Sequence, residues 1–417
     1  MSRFRTLPPA GTRIRAHEFA RWLGRSLRPN SELSRLEGAL SERYGSGDIF
    51  LFSSGRALMT LLLESIRDEA HDSESRSVGG DGGPLEVLIP GYTCYSVAAS
   101  AVRAGFRIRP IDIDPDSLDY RKDALEATDT RRALAIISAN LFGIPNDLEY
   151  LERFARERSL VLIDDAAQSL GASVGGRPAG SFGDAGLLSL DKGKNITTIQ
   201  GGILISRNAG LSERLSARTA EAPVQRWHQS MFQMVQLVAY GVLLHPRLYW
   251  LPDRALSLGG TAWDPPTPMT RYSGRLAPMA SLLLDRIDEI SSARRSNARQ
   301  YQEAFRRDPV LHDRFRYPGG GAGPSPRESV YLRYPVVLRD PVLRTPLLAK
   351  LRAEGLGTTS SYPLAIRDIP EAEPHLAMNP ADTPGARGVA NGIITLPTHA
   401  YVQERDIERM VLLLRSG

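Results

Sequence analysis

Apolar and polar positions along this chain fall into two regimes. Between residues 49 and 206, short apolar runs alternate with stretches of helical periodicity. Ile49–Phe52, Val87–Ile89, Ile108–Ile113, Ala133–Ser138, Leu160–Ile163, Ala185–Leu190 and Ile203–Ser206 are too short for helices and read as buried strands. Ala57 to about Ile66, the stretch ending at Ala104, and a segment from Asn146 (as N-cap) to about Arg158 carry helical spacing. This alternation predicts an α/β fold on a mostly parallel sheet. Ahead of it, residues 1–48 predict a peripheral arm with two helices, the second holding Leu33, Leu36 and Leu40 on one face. His71–Pro84 is polar and Gly-rich and predicts a surface loop.

Downstream the pattern changes. Met231–Leu244, continued by Leu248–Leu251, is the most apolar part of the chain. The first run has 14 residues and is interrupted by Gln233 and Gln236, so it is too short to span a bilayer. It predicts a buried or dimer-interface helix. Because Arg247, Tyr249, Trp250 and Arg254 flank it, a membrane-surface contact through 231–251 is the sharper alternative. Met269–Tyr301 predicts a long helix. From Tyr331 a small α+β domain is expected, with a strand at Tyr334–Leu338 and a helix at Leu347–Glu354. The expected domains are an arm (1–48), a large α/β domain (49–265), a crossover helix (266–310) and a small C-terminal α+β domain (311–417).

Composition narrows the class. With 42% apolar and 24% charged residues, the chain reads as a globular protein of 417 residues, enough for one large and one smaller domain. A net charge of +5 without a basic, aromatic-studded stripe argues against a nucleic-acid partner. The single cysteine, Cys94, excludes an intrachain disulfide and a Cys-cluster metal site, and no metal is expected. The N-terminal residues lack an apolar core of signal-peptide length, so a cytoplasmic protein is expected.

The candidate chemistry lies between residues 160 and 206. The run Leu160–Ile163 ends in Asp164 and Asp165, and the run Ala185–Leu190 is followed by Asp191, Lys192 and Lys194. An acid and an amine at neighbouring strand ends stand where open α/β sheets place ligands. Pyridoxal 5'-phosphate (PLP) needs both, a lysine for covalent attachment and a carboxylate against its pyridine nitrogen. Taken alone, these residues suit equally well a helix N-cap and a solvated loop lysine. Ser53-Ser54-Gly55-Arg56 opens a helix after the first strand, a junction suited to a phosphate but common in other settings.

Four spaced motifs decide between these readings. Asp164-Asp165-Ala166-Ala167-Gln168, Gly180-Ser181-Phe182-Gly183-Asp184, Ser189 through Lys194-Asn195, and Gly201-Gly202 follow in order within some forty residues. In this the chain resembles the DegT/StrS-type nucleotide-sugar aminotransferases, a branch of the fold-type-I PLP enzymes, over roughly residues 30 to 415. The resemblance extends to Leu396-Pro397-Thr398-His399 and to Asp288 through Tyr301 in the crossover helix, with His399 expected to be structural. It implies that Lys194 binds PLP covalently and relays a proton, Asp165 pairs with the pyridinium nitrogen, and Gln168 donates to the phenolic oxygen. Ser54, Gly55, Arg56 and Ser189 would hold the phosphate. Cys94 occupies the position of an aromatic that stacks on the ring, with Tyr92 or Tyr95 as replacements. Departures also fall at Arg56 (Thr in the family), Asn140 (His), Met269 (Asn) and Ser361 (His). Arg271 and Ser273 match parts of a motif used across the family's dimer interface.

The resemblance therefore implies a homodimeric aminotransferase moving an amino group from an amino-acid donor, glutamate first, to a keto-sugar substrate on a nucleotide. The drifted positions keep two alternatives open: a PLP enzyme acting on a non-nucleotide or lipid-linked substrate, and a non-catalytic PLP-binding regulator.

Overall fold

The computed structural model describes residues 5–72, 83–251, 263, 267–319 and 326–416. Most of the expected His71–Pro84 loop, Arg254 and the expected boundary at 265 lie outside the described residues. The central sheet has strands β1 (Asp48–Phe52), β2 (Glu86–Pro90), β3 (Arg107–Ile111), β4 (Ala133–Ala139), β5 (Val161–Asp165), β6 (Ala185–Ser189) and β7 (Gly202–Ser206), in the order β1-β7-β6-β5-β4-β2-β3. All run one way except β7, which is antiparallel to both neighbours. The sheet is thus mixed, and the parallel core β6-β5-β4-β2-β3 puts its C-terminal strand ends on one edge. On that edge Asp165 pairs in register with Ala139 on one side and Leu187 on the other.

Two strongly apolar clusters cover the sheet faces. On one side, Leu58, Leu62 and Ile66 of a helix at Gly55–Asp72 pack on Val87, Ile89, Ile137 and Ile163. On the other, Phe182, Leu188, Ile203 and Ile205 meet Leu36 and Leu40 of a helix at Pro29–Tyr44 and Leu283 of a helix at Ala277–Leu284. The smaller C-terminal α+β region is a three-stranded antiparallel sheet, β8 (Phe315–Arg316), β9 (Arg333–Leu338) and β10 (Ile393–Pro397). Helices at Ile287–Arg307, Arg344–Ala353, Pro384–Gly392 and Glu404–Ser416 pack around it.

Three expectations are corrected. Asn146 does not cap the helix after β4. That helix spans Leu148–Glu157 and is capped by Asp147, whose carboxylate accepts from the Tyr150 N–H at 3.3 Å. Asn146 is instead buried, and its amide reaches Ser138 Oγ at 2.9 Å. The expected long helix over Met269–Tyr301 is two helices, Ala277–Leu284 and Ile287–Arg307, and residues 269–276 are not helical. β1 is an edge strand whose open backbone groups recruit this segment, with Ser53 N–H donating to Thr270 O at 2.9 Å and Tyr272 N–H to Leu51 O at 3.3 Å. Finally, the N-terminal arm is not merely peripheral. Leu7 is fully buried, and the Thr12 hydroxyl donates to the carbonyls of Lys194 (3.1 Å) and Asn195 (2.7 Å).

The apolar segment forms a helix at Trp227–Leu243 with apolar residues on both faces, Met234 and Leu237 being buried in the core. Ser230 and Gln233 are buried, whereas Met231, Phe232, Val235, Val238 and Val242 are exposed. Among the described residues no helix is long and apolar enough to cross a membrane.

Candidate active site

The strand-end edge and the C-terminal region enclose a cavity of about 480 Å³. Ser54, Gly55, Arg56 and Cys94 line it from the β1 and β2 sides, and Asp165, Gln168, Ser189 and Lys194 from the β5 and β6 sides. The eight residues singled out from the sequence thus share one space. A larger cavity of about 600 Å³, against Leu160 and Asp184, contains none of them and no lysine.

The lysines lie on the loop between antiparallel β6 and β7. This loop is anchored from three directions. Thr12 holds the Lys194 and Asn195 carbonyls, Asn195 Nδ2 donates to Leu170 O at 2.7 Å, and Gly193 N–H donates to Tyr240 Oη at 3.2 Å. Lys192 and Lys194 both line the cavity, Lys192 exposed and Lys194 half-buried.

The two acids of β5 separate cleanly. Asp164 is fully buried away from the cavity and accepts from Gly180 N–H (2.6 Å), Asn140 Nδ2 (2.7 Å) and Phe182 N–H (3.2 Å). Burial pushes its pKa up to about 6 against the pull of these donors. Asp165 faces the cavity, with Oδ1 accepting from Ala167 N–H at 3.0 Å. Burial raises its pKa, and the nearby Lys194 charge opposes that rise. Asn140, at the position of the family's histidine, has both ends of its amide engaged by Asp164, the Asp165 carbonyl and Asn146 N–H.

Gln168 is fixed by its neighbours. Its Oε1 accepts from Phe142 N–H and its Nε2 donates to Tyr362 Oη, both at 3.0 Å. One Nε2 hydrogen remains available. Tyr362 is the hub of an aromatic group. Tyr92 and Tyr95 each lie 6.0 Å from its ring, and Phe142 stacks on it at 6.5 Å. Tyr92 and Tyr95 do not line the cavity, so as a replacement stacking ring neither is placed to serve. Cys94, Phe142 and Tyr362 do line it. Ser54 Oγ accepts from Ala57 N–H at 3.1 Å at the start of the following helix. That turn lies so close to β7 that a Cβ on Gly202 would sit 2.3 Å from Gly55 N.

These residues fit pyridoxal phosphate. A carboxylate and an amine face one space beside a helix N-terminus, and Arg56, which lines it, has a buried Nε with no hydrogen-bond partner. Arg56, Lys192, Lys194, Arg333 and Arg352 line the cavity against only Asp165 and Asp191, a balance that attracts anions. Arg333, Arg352 and Pro9 were missed from the sequence because segments far along the chain deliver them. Arg333 stands at the start of its strand, opposite to the place of Asp165 at the end of β5, so strand-end reasoning did not reach it. Arg271 and Ser273 are occupied within the chain. Arg271 donates to the carbonyls of Thr219 (3.1 Å) and Ala220, and buried Ser273 pairs with Ser230 at 3.0 Å. His399 is buried with Nε2 2.7 Å from the Pro8 carbonyl, away from the cavity lining.

A mixed α/β sheet with a smaller C-terminal α+β region defines the fold-type-I PLP transferase architecture. The chain belongs to the DegT/DnrJ/EryC1/StrS aminotransferase family, whose model matches residues 31–415. It is 32% identical to the L-glutamine:2-deoxy-scyllo-inosose aminotransferase of Streptomyces kanamyceticus over 194 residues, 46% of this chain and 42% of that protein. The chain thus spans less than half the length of the curated relatives it matches at this level. With the GDP-perosamine synthase of Caulobacter vibrioides it shares 26% identity over 336 residues, 80% of each chain. The solved aminotransferase TlmJ from Streptoalloteichus hindustanus superposes with a TM-score of 0.75 at 22% identity, covering 99% of this chain and 98% of that one.

Proposed function

We propose that this chain is a PLP-dependent aminotransferase that moves an amino group from an amino acid, glutamate first, to a keto-sugar on a nucleotide carrier. The observation that carries the reading is the meeting in one cavity of Asp165, at the end of β5, and Lys194, on the loop that follows the neighbouring β6. Membership among the aminotransferases supports the amino transfer, as does the relative named for L-glutamine and 2-deoxy-scyllo-inosose, and the relative named for GDP-perosamine supports the nucleotide carrier.

When bound, PLP supplies an electron sink for the carbon that loses and gains a proton. The protein does the rest. Asp165 holds the proton on the ring nitrogen. Lys194 Nζ would hold the cofactor, and its amine would carry the proton from the donor α-carbon. Gln168 offers its remaining Nε2 hydrogen to the phenolic oxygen. Ser54, Gly55, Arg56 and Ser189 grip the phosphate, and the packed Tyr362 group excludes water.

The enzyme works as a cytoplasmic homodimer in this reading. Its partner surface includes the exposed stripe of the 227–243 helix and the strand-edge segment at the exposed Arg271. The same stripe favours a second reading, a lipid-linked sugar substrate met at a membrane surface. The test is the visible spectrum of purified protein. It should show cofactor absorption that glutamate bleaches and a nucleotide-linked keto-sugar restores. A bleached form restored only by lipid-linked acceptors would select the second reading, and no response to any amino donor would leave a regulator.

A further inference from the structure

We propose that Arg333 receives the α-carboxylate of the amino-acid donor, an inference that rests on the amino-transfer reading above. Arg333 opens β9 and reaches the cavity from the wall formed by the C-terminal region, while Asp165 and Lys194 come from the central sheet. An amino-acid donor must present its nitrogen to the lysine side while its carboxylate finds a cation elsewhere. Arg333 offers one.

Its surroundings set this half-buried arginine apart from the fully buried Arg294. Arg294 has its guanidinium engaged by the carbonyls of Leu332 (3.0 Å) and Gly11 (2.8 Å) and by Thr398 (3.2 Å). Arg333 touches only uncharged hydroxyls, donating through Nη1 to Thr359 Oγ1 at 2.7 Å and to Ser361 Oγ at 3.5 Å. Among the described residues it makes no ion pair, and the groups that offset its charge are tyrosines. A guanidinium has five N–H donors, and its planar fork matches a carboxylate with two parallel bonds. The hydroxyls that hold it are themselves fixed, with Thr359 Oγ1 2.9 Å and Ser361 Oγ 3.2 Å from Thr395 Oγ1. A preset, charge-unpaired cation on a cavity wall is a built anion site. Burial already lowers its pKa, and an incoming carboxylate would relieve that penalty. Arg352, the other arginine brought by this region, is exposed and suits the rim instead.

The experiment compares wild-type holoenzyme with Arg333→Gln and Arg333→Lys. Cofactor absorption confirms that each variant is folded and loaded. Glutarate, a carboxylate without an amine, is titrated by its perturbation of the visible spectrum. The half-reaction is then run with glutamate and with 4-aminobutyrate, which lacks only the α-carboxylate. Losing a charge-assisted pair should weaken glutarate binding and glutamate kcat/KM in Arg333→Gln by roughly 10- to 100-fold. The 4-aminobutyrate rate should stay near wild type, and Arg333→Lys should recover part of the loss. Equal losses for both donors, or unchanged glutarate binding, overturn the proposal. So does a loss confined to the sugar acceptor, which would assign Arg333 to acceptor phosphates. A wild-type enzyme that ignores all amino donors would defeat the amino-transfer reading, and the glutarate titration would then decide the anion site alone.

Discussion

Asp164 and Asp165 are adjacent at the end of β5, yet only Asp165 opens onto the cavity, while Asp164 is enclosed by three donors at 2.6 to 3.2 Å. The alternation of side chains along a strand sends the two carboxylates to opposite faces. One acid secures the Gly180–Phe182 turn, and the other is free for a ligand.

Their substitutions should therefore diverge. Asp165→Asn should keep the cofactor bound and lower turnover by about 100-fold or more, because an amide does not hold a proton on the ring nitrogen. Asp164→Asn replaces an acceptor-only group with one that adds donors against the Gly180 and Phe182 N–H groups. It should lower unfolding stability by about 1–3 kcal/mol. Turnover of properly folded Asp165→Asn near wild type would move the acid's role elsewhere.

Gly202→Ala should act on cofactor affinity. The added methyl meets the Gly55 N–H and Ser54 carbonyl carbon within 2.5 Å, and backbone at that distance must shift. Overpacking of this kind costs about 1–3 kcal/mol, here displacing the turn proposed to grip the phosphate. PLP should dissociate on the order of 10-fold more readily, measured by absorbance after dilution. Unchanged affinity with normal stability would remove the turn from the phosphate site.

His399 gives the protein a pH dependence of defined sign. Burial pushes its pKa down to about 4 from an ordinary 6.5, so folding favours the neutral ring. The contribution is full above pH 6.5. As pH falls from there toward 4, the unfolded chain binds a proton that the native chain does not, and stability is lost. The loss is on the order of 3 kcal/mol. Urea unfolding of wild type and His399→Gln across this range should show a flatter slope for the variant. Asp164 acts oppositely, its raised pKa giving stability at low pH that fades as pH rises through about 6, but it is common to both proteins and cancels in the comparison.

The exposed stripe on the 227–243 helix is expected to be covered by a second copy of the chain. Phe232 and Val235 are each 63% exposed, too apolar a pair to leave in water at the centre of such a stripe. Sedimentation velocity should find a dimer at micromolar concentration, and Phe232→Glu with Val235→Glu a monomer. A double variant that remains dimeric, with wild type co-sedimenting with anionic vesicles, would assign the stripe to a membrane surface.

Asp165 and Lys194 were legible in the sequence as an acid and an amine after short apolar runs, but only the resemblance carried by the four spaced motifs set them apart from a helix cap and a loop lysine, and it alone implied Gln168 and Ser189. Ser54 and Gly55 were legible as a strand-to-helix turn. The N-terminal arm was not, because the Thr12 contact with the Lys194 loop joins segments some 180 residues apart and leaves no periodic trace. Residues 269–276 read as helix because they lead without a proline into the helix at Ala277–Leu284, whereas the open edge of β1 pairs with Thr270 and Tyr272 and a turn at 274–276 precedes the helix. The 227–243 helix read as apolar, but which of its faces is buried depends on the scaffold it meets.

Lys194 is the residue expected to bind the cofactor, and Lys192 lines the same cavity. Borohydride reduction of the purified coloured protein, followed by proteolysis and peptide mass spectrometry, tests this directly. The pyridoxyl group should be found on Lys194 alone, and Lys194→Ala should show no labelled peptide. A label on Lys192, or a colourless protein that takes no label at all, would contradict the assignment and the catalytic role built on it.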